Sequence, residues 1–200
     1  MKKPLYIAVE GIDGAGKTTQ AKLLAAYLRR KGIRTVLVHE PSSGDVGRII
    51  RKGLRKKVRI SEEALALLFA ADRLILREKI IEPARIKGFF IVSDRSVVSS
   101  LAYQPVATKK REWVVEINKY AAEPEVVVFI DISPVRALKR LRKNSQRYER
   151  VSFLAKVRRE YLRVLRKFKN VVVVDGEKPV DEVAREIVEK ISKFIPGLVK

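Results

Sequence analysis

The chain has 200 residues, 46% of them hydrophobic, enough for one full core and suited to a single domain over 1–200. It has no Cys and one His, which excludes a disulfide framework, a thiolate metal site and a His-rich metal site. The 44 Lys and Arg against 23 Asp and Glu leave a net charge of +21, a balance that points to a polyanionic partner such as a nucleotide, a nucleic acid or a membrane surface. Met1-Lys2-Lys3-Pro4 runs straight into an apolar stretch, with no place for a signal peptide, and no apolar run approaches membrane-spanning length. The expectation is a soluble cytoplasmic protein.

Taken in chain order, a strand over about 5–10 leads into a Gly-rich turn and a helix over about 17–31, stopped by Gly32. Residues 35–39 form a second strand, 40–47 a loop by their turn chemistry, and a short basic helix follows to about Leu54. Ser61 reads as the N-cap of a long helix with Glu62 and Glu63 in its first turn, giving way near Pro83 and Gly88. A strand over 89–93 ends at Asp94, helical segments cover about 96–103 and 110–122, and a strand over 126–130 ends at Asp131. A helix starts near Pro134 and runs into an Arg-rich stretch to 150. Then come a helix over about 152–168, a strand over 171–174 and a helix over about 179–194.

The strands are apolar runs without clean alternation, as in parallel strands covered on both faces. Strands alternating with helices predict an α/β fold, a doubly wound parallel five-stranded sheet with helices on both faces. Ligands gather beyond the carboxyl ends of such strands, which places the Gly-rich turn, Glu40, Asp94 and Asp131 along one edge.

That turn is Gly11-Ile12-Asp13-Gly14-Ala15-Gly16-Lys17-Thr18, which fits the phosphate-loop pattern between a strand and a helix. Its backbone N–H groups would close around phosphate oxygens at a helix N-terminus. Lys17 would reach the β- and γ-phosphates, and the Thr18 hydroxyl would ligate Mg²⁺. A carboxylate here is awkward beside phosphate, so Asp13 either caps the turn or faces away from the nucleotide, towards a second substrate. Asp94, at a strand end, is the Mg²⁺-side partner expected for Thr18, with Asp131 the alternative, and Arg95 beside it would clamp a phosphate bidentately. Phe69 and Arg73 stand one helical turn apart. They read either as a core ring and a surface cation, or as a platform that stacks a base and donates to a keto oxygen. The stretch 136–150 places several Arg in a segment between two helices, a lid that would bring a cation to the transferring phosphoryl and exclude water. The three basic blocks, 48–59, 136–150 and 156–169, otherwise read as solvated faces.

With these residues together, the chain resembles the thymidylate kinase (dTMP kinase) family of P-loop nucleoside monophosphate kinases. Glu10-Gly11-Ile12-Asp13-Gly14-Ala15-Gly16-Lys17-Thr18-Thr19-Gln20 is similar to its opening signature, Leu67-Leu68-Phe69-Ala70-Ala71-Asp72-Arg73 to its thymine-binding helix, and Asp94-Arg95 through Tyr103-Gln104 to its Asp-Arg signature. The resemblance implies transfer of the γ-phosphoryl of ATP to dTMP with Mg²⁺. Phe69 would stack on thymine, Arg73 would contact its O4, and Arg95, helped by Arg51, would hold the dTMP phosphate. Asp13 would hold the 3′-hydroxyl or orient the acceptor phosphate, and Tyr103 would close the space of a ribose 2′-hydroxyl. Ser100 and Gln104 belong to the same acceptor set. Gly14 stands where some members carry an Arg, so the lid would supply that cation, from Arg142 or Arg147. A homodimer packed through helices is implied as well.

The chain departs from the family at His39-Glu40-Pro41-Ser42-Ser43-Gly44, where Arg-Glu-Pro-Gly-Gly-Thr is usual, at Ser96 in place of an aromatic, and at Ser100 where some members place an amide. Rival readings are a kinase of the same layout acting on dUMP or a deoxynucleoside, a nucleotide sensor without turnover, and a nucleic-acid-binding ATPase. The last leaves the 69/73 and 94–103 motifs unexplained, so nucleic acid is not the expected partner.

Overall fold

The computed structural model describes residues 4–141 and 147–198. Five parallel strands, β1 (Tyr6–Glu10), β2 (Thr35–His39), β3 (Phe90–Asp94), β4 (Val126–Asp131) and β5 (Val171–Asp175), form one sheet in the order β2-β3-β1-β4-β5. The connections run outwards from β1 in one direction and return past it to β4. The reversal point therefore lies at β1, where such sheets hold their ligands. The register brings the carboxyl ends level: His39 and Val9 both pair with Asp94, and Asp131 pairs with Asp175.

The alternation of side chains along β1 divides the core. Ile7 and Val9 join a large cluster with residues of α1 (Lys17–Arg30), α5 (Val97–Thr108), α8 (Val151–Leu165) and α9 (Val180–Ser192). Tyr6 and Ala8 point the other way into a smaller cluster with Leu76, Ile81 and Ala84. Among the described residues no helix is long and apolar enough to cross a membrane.

Several boundaries differ from the sequence expectation, each for a local reason. Helix α2 (Asp45–Leu54) begins before Gly47 instead of after it. Gly47 lies so close to the Ser42 backbone that a Cβ there would come within 1.9 Å of the Ser42 carbonyl oxygen, so its smallness serves close packing and not a turn. Ser61 does cap α3 (Glu62–Leu76), its Oγ accepting from Ala64 N at 3.1 Å. The helical run then passes through a π-turn over Arg77–Ile81, continues as α4 (Glu82–Ile86) with Pro83 in its first turn, and gives way before Gly88 as expected. The widened turn just before Pro83 breaks the regular ladder where proline lacks a donor. α5 runs through Pro105 to Thr108 because Tyr103, Gln104, Pro105 and Thr108 are all buried, and that packing offsets the lost helix bond. α6 (Arg111–Ile117) is shorter than expected. It ends at the buried Asn118, whose amide donates back to Val114 O at 2.8 Å. α7 (Pro134–Arg140) opens on Ser133, whose Oγ accepts from Arg136 N.

Candidate active site

The phosphate loop joins β1 to α1 at the reversal point. Helix α1 has no side-chain cap, so its first N–H groups face the loop. Lys17 is buried, and its Nζ donates to Ile12 O at 2.7 Å across the loop. Burial, followed by the like charge of Arg95, lowers its pKa from the ordinary lysine value to about 8. Thr18 Oγ1 donates to Asp94 Oδ2 at 2.5 Å. Asp131, the alternative carboxylate, is taken up instead by Arg158, which donates to it from Nε at 2.6 Å and Nη2 at 2.7 Å.

Two cavities meet at the loop. The first, about 800 Å³, is an open groove lined by Asp13 to Gln20, Asp94, Arg95, Arg140 and residues 176–180. The second, about 240 Å³, is more enclosed and lies between α2, α3 and α5. It is lined by Asp13, Glu40, Arg51, Phe69, Arg73, Arg95, Ser100, Tyr103, Gln104, Arg147 and Tyr148, among others. Asp13, Glu40 and Arg95 line both cavities. One pocket suits a triphosphate, the other a smaller ligand, and three charged groups form the wall between them.

Arg95 is the centre of that wall. Its backbone is left-handed, with φ of 73°, and its guanidinium is ion-paired to Asp13 and hydrogen-bonded to Ser99 Oγ at 2.9 Å. It also lies over the Tyr103 ring, 5.2 Å from the centroid. The Tyr103 hydroxyl accepts from Asp13 N at 2.9 Å, which ties the wall of the enclosed cavity to the phosphate loop. Asp13 therefore turns its carboxylate to Arg95 within the wall between the two cavities.

Arg73 is buried, which rules out the surface reading of this residue. It pairs with Glu40 through Nε at 3.0 Å and Nη2 at 2.6 Å, and it donates to Ser100 Oγ at 2.8 Å and to Asn118. Its neighbour Asp72 accepts from Ser42 N and Ser42 Oγ, both at 2.6 Å. Adjacent residues of α3 thus hold both ends of the altered Glu40-Pro41-Ser42 turn. Arg51 completes it by donating to Pro41 O at 2.9 Å and Ser42 O at 2.6 Å. The serine at 42 supplies the hydroxyl that Asp72 binds, which gives this departure from the family pattern a structural role. Gln104 Nε2 donates to Ser100 Oγ at 3.1 Å, while its buried Oε1 has no partner among the described residues.

Of the two lid arginines singled out from sequence, Arg142 lies outside the described residues. Arg147 lies on the enclosed cavity, not on the open groove. It donates to Ile60 O at 2.6 Å and pairs with Glu62 at 2.8 Å. The groove instead receives Arg140, whose Nη1 donates to Gly176 O at 2.8 Å. Sequence reasoning also passed over Tyr148, which stacks on Phe153 at 4.8 Å and donates to Glu62 at 2.6 Å, and Arg55 at the cavity mouth. In a chain this basic, neither Arg140 nor Arg55 carries a signal that separates it from its neighbours. Gly14 explains how α7 reaches the groove: a Cβ at 14 would come within 2.1 Å of Ala137 O. An Arg at this position, as some family members carry, does not fit beneath α7.

Comparison with known proteins places this geometry. A family model described as thymidylate kinase matches residues 9–187. A probable thymidylate kinase of Methanosphaera stadtmanae is 39% identical over 96% of this chain and 99% of its own length. One of Thermococcus gammatolerans is 36% identical over 96% and 97%. The solved structure of thymidylate kinase from Candida albicans superposes with a TM-score of 0.85 at 27% identity, covering 96% of this chain and 92% of that one. The phosphate loop, the enclosed cavity beside it and these matches along nearly the whole length lead to one assignment: the chain belongs to the thymidylate kinase family.

Proposed function

We propose that the protein transfers the γ-phosphoryl group of ATP to dTMP, giving dTDP and ADP, in a single domain that acts in the cytoplasm. The observation that carries this reading is the enclosed cavity joined to the phosphate loop through Asp13 and Arg95. ATP takes the open groove, with its phosphates on the 11–18 backbone and Lys17. The base of dTMP lies against Phe69, between the donors of Arg73 and the unpartnered Oε1 of Gln104. A donor facing O4 and an acceptor facing N3–H fit the imide edge of thymine or uracil, and both oppose cytosine. Tyr103 closes the sugar side, and Arg95, with Arg51 nearby, meets the phosphate.

An oxygen of the acceptor phosphate forms the new bond to Pγ as the bond from Pγ to the β-bridging oxygen breaks, and ADP leaves. The protein has little covalent work to do. Lys17 and Arg95 hold the two reacting phosphates in line, and their positive charges answer the charge that spreads over the transferring oxygens. Asp13 holds Arg95 and the 3′-hydroxyl. Arg140 is the described cation on the donor side that suits the lid role.

Thr18 and Asp94 would hold Mg²⁺, which when bound neutralises phosphate charge. The described residues have no group of three or more carboxylates or imidazoles, in keeping with an ion that takes most of its ligands from phosphate and water. A homodimer is supported by α3, which exposes Leu67, Ala71 and Ile75 on one face, with Val115 of α6 also exposed.

The test is a coupled ADP-release assay with dTMP, dUMP, dCMP, dGMP and thymidine. Turnover is expected with dTMP, weaker turnover with dUMP by roughly the 1–3 kcal/mol of one methyl group, and none with dCMP. Activity with thymidine but not dTMP would overturn the acceptor assignment.

A further inference from the structure

Behind Arg95 lies a carboxylate to which neither the phosphate loop nor the acceptor cavity assigns a task. Glu10, the last residue of β1, is fully buried. One of its oxygens accepts from Ser96 Oγ at 2.8 Å. The other accepts from Ser99 Oγ at 2.6 Å and from the Tyr161 hydroxyl at 3.0 Å. Ser99 and Tyr161 are 2.8 Å apart, and both accept from Arg95 Nη1, at 2.9 and 3.4 Å. Burial raises the pKa of Glu10, opposed by Ser99, Arg95, Ser96 and Tyr161 in that order.

We propose that Glu10 is a positioning residue for the acceptor-phosphate arginine, fixing the Arg95 guanidinium through the hydroxyls of Ser99 and Tyr161 without touching it. The inference rests on the reading of Arg95 as the phosphate clamp. Each hydroxyl has a single hydrogen. Arg95 can only donate, so both hydroxyls accept from it and direct their own hydrogens to the ionised Glu10 or, across the 2.8 Å between them, to each other, which keeps their lone pairs turned towards Arg95. Set back by one hydroxyl, Glu10 offsets the buried positive charge without touching it. Nη1 donates to the two hydroxyls and Nη2 to Asp13, which leaves Nε and one Nη2 hydrogen for a ligand.

The backbone of Arg95 fits the same purpose. A non-glycine residue at φ of 73° costs about 1–2 kcal/mol and persists only where its surroundings hold it. Here Arg95 N donates to Val9 O at 3.1 Å, Ser93 Oγ donates to Arg95 O, and the hydroxyl pair fixes the side chain. Glu10 comes from β1, Ser99 from α5 and Tyr161 from α8, so the guanidinium is referenced to three separate elements.

A double-mutant cycle tests this. Glu10→Gln and Ser99→Ala are each made alone and in an Arg95→Ala background, with kinetics for dTMP and ATP and dTMP affinity by calorimetry. In the wild-type background each is expected to lower kcat/KM for dTMP by about tenfold or more, with KM for ATP changed by less than about twofold. In the Arg95→Ala background each is expected to cost less than about twofold, because the group being positioned is gone. Equal costs in the two backgrounds would mark a merely structural role and overturn the proposal. Unaltered dTMP kinetics in Arg95→Ala alone would overturn the clamp reading beneath it. If Glu10→Gln fails to fold, Ser99→Ala carries the cycle by itself.

Discussion

Replacing Arg73 with methionine separates the two tasks of the α3 arginine. The side chains of Arg73 and Glu40 are each 3% exposed, and Arg73 makes three bonds to that carboxylate and one each to Ser96 O, Ser100 and Asn118. Methionine fills most of the volume but leaves Glu40 buried without a counter-charge. Removing one partner of such a pair costs about 3–5 kcal/mol, because the remaining charge is uncompensated. For a chain of this size each kcal/mol shifts the melting temperature by about 2–4 °C, so a fall of about 6–20 °C is expected. Adding Glu40→Gln should recover a large part of that loss, since the stranded charge then disappears. Activity should not recover with it, because the donor that faces O4 is still missing. The assay is calorimetric melting of the single and double variants alongside dTMP kinetics. A melting temperature within about 3 °C of wild type for Arg73→Met, on the same scale, would refute the reasoning. So would a double variant that regains both stability and turnover.

Four further outcomes follow from the site and the surface. Lys17 titrates at about 8 in the free protein, lowered by burial and by Arg95, and bound phosphates raise it. Nucleotide affinity is therefore level below that pH and weakens by about tenfold per pH unit above it. Calorimetric titration from pH 6.5 upwards checks this, and a flat profile to pH 10 would contradict it. Lys17→Ala is expected to lose nearly all turnover. Gly14→Ala meets a left-handed φ of 86° and the Ala137 carbonyl, so it should cost about 1–2 kcal/mol from the backbone alone and more from displacing α7, visible in melting and in kcat. Ile75→Glu on the exposed face of α3 should convert a dimer to monomers in sedimentation. An unchanged mass would remove that face as the interface.

Much of the fold is legible in the chain because its signals are local. The apolar runs of β1, β3 and β4 and the Gly-rich turn before α1 mark the strand ends and the phosphate loop. The Ser61 cap marks the start of α3, and Phe69 and Arg73 share a helix face by spacing alone. Where a boundary differs from the expectation, packing overrides the signal of the residue type: Gly47 and Pro105 look like breakers but lie inside helices, held by the close approach of Ser42 and by the buried face of α5.

By itself the sequence determined the alternating α/β order, the phosphate-loop pattern and the three motifs that resemble the family's, since each depends on residues close together in the chain. Only the tertiary structure decided which groups meet. It paired Arg73 with Glu40 across 33 residues, gave Asp131 to Arg158 and Asp94 to Thr18, and drew Tyr161 beneath Arg95 from 66 residues away. It set Arg140, not Arg147, on the donor groove. In a chain with 44 Lys and Arg, no local pattern separates Arg140 from its basic neighbours. Their roles depend on distance and burial, which arise when the strands pair and the helices close over them.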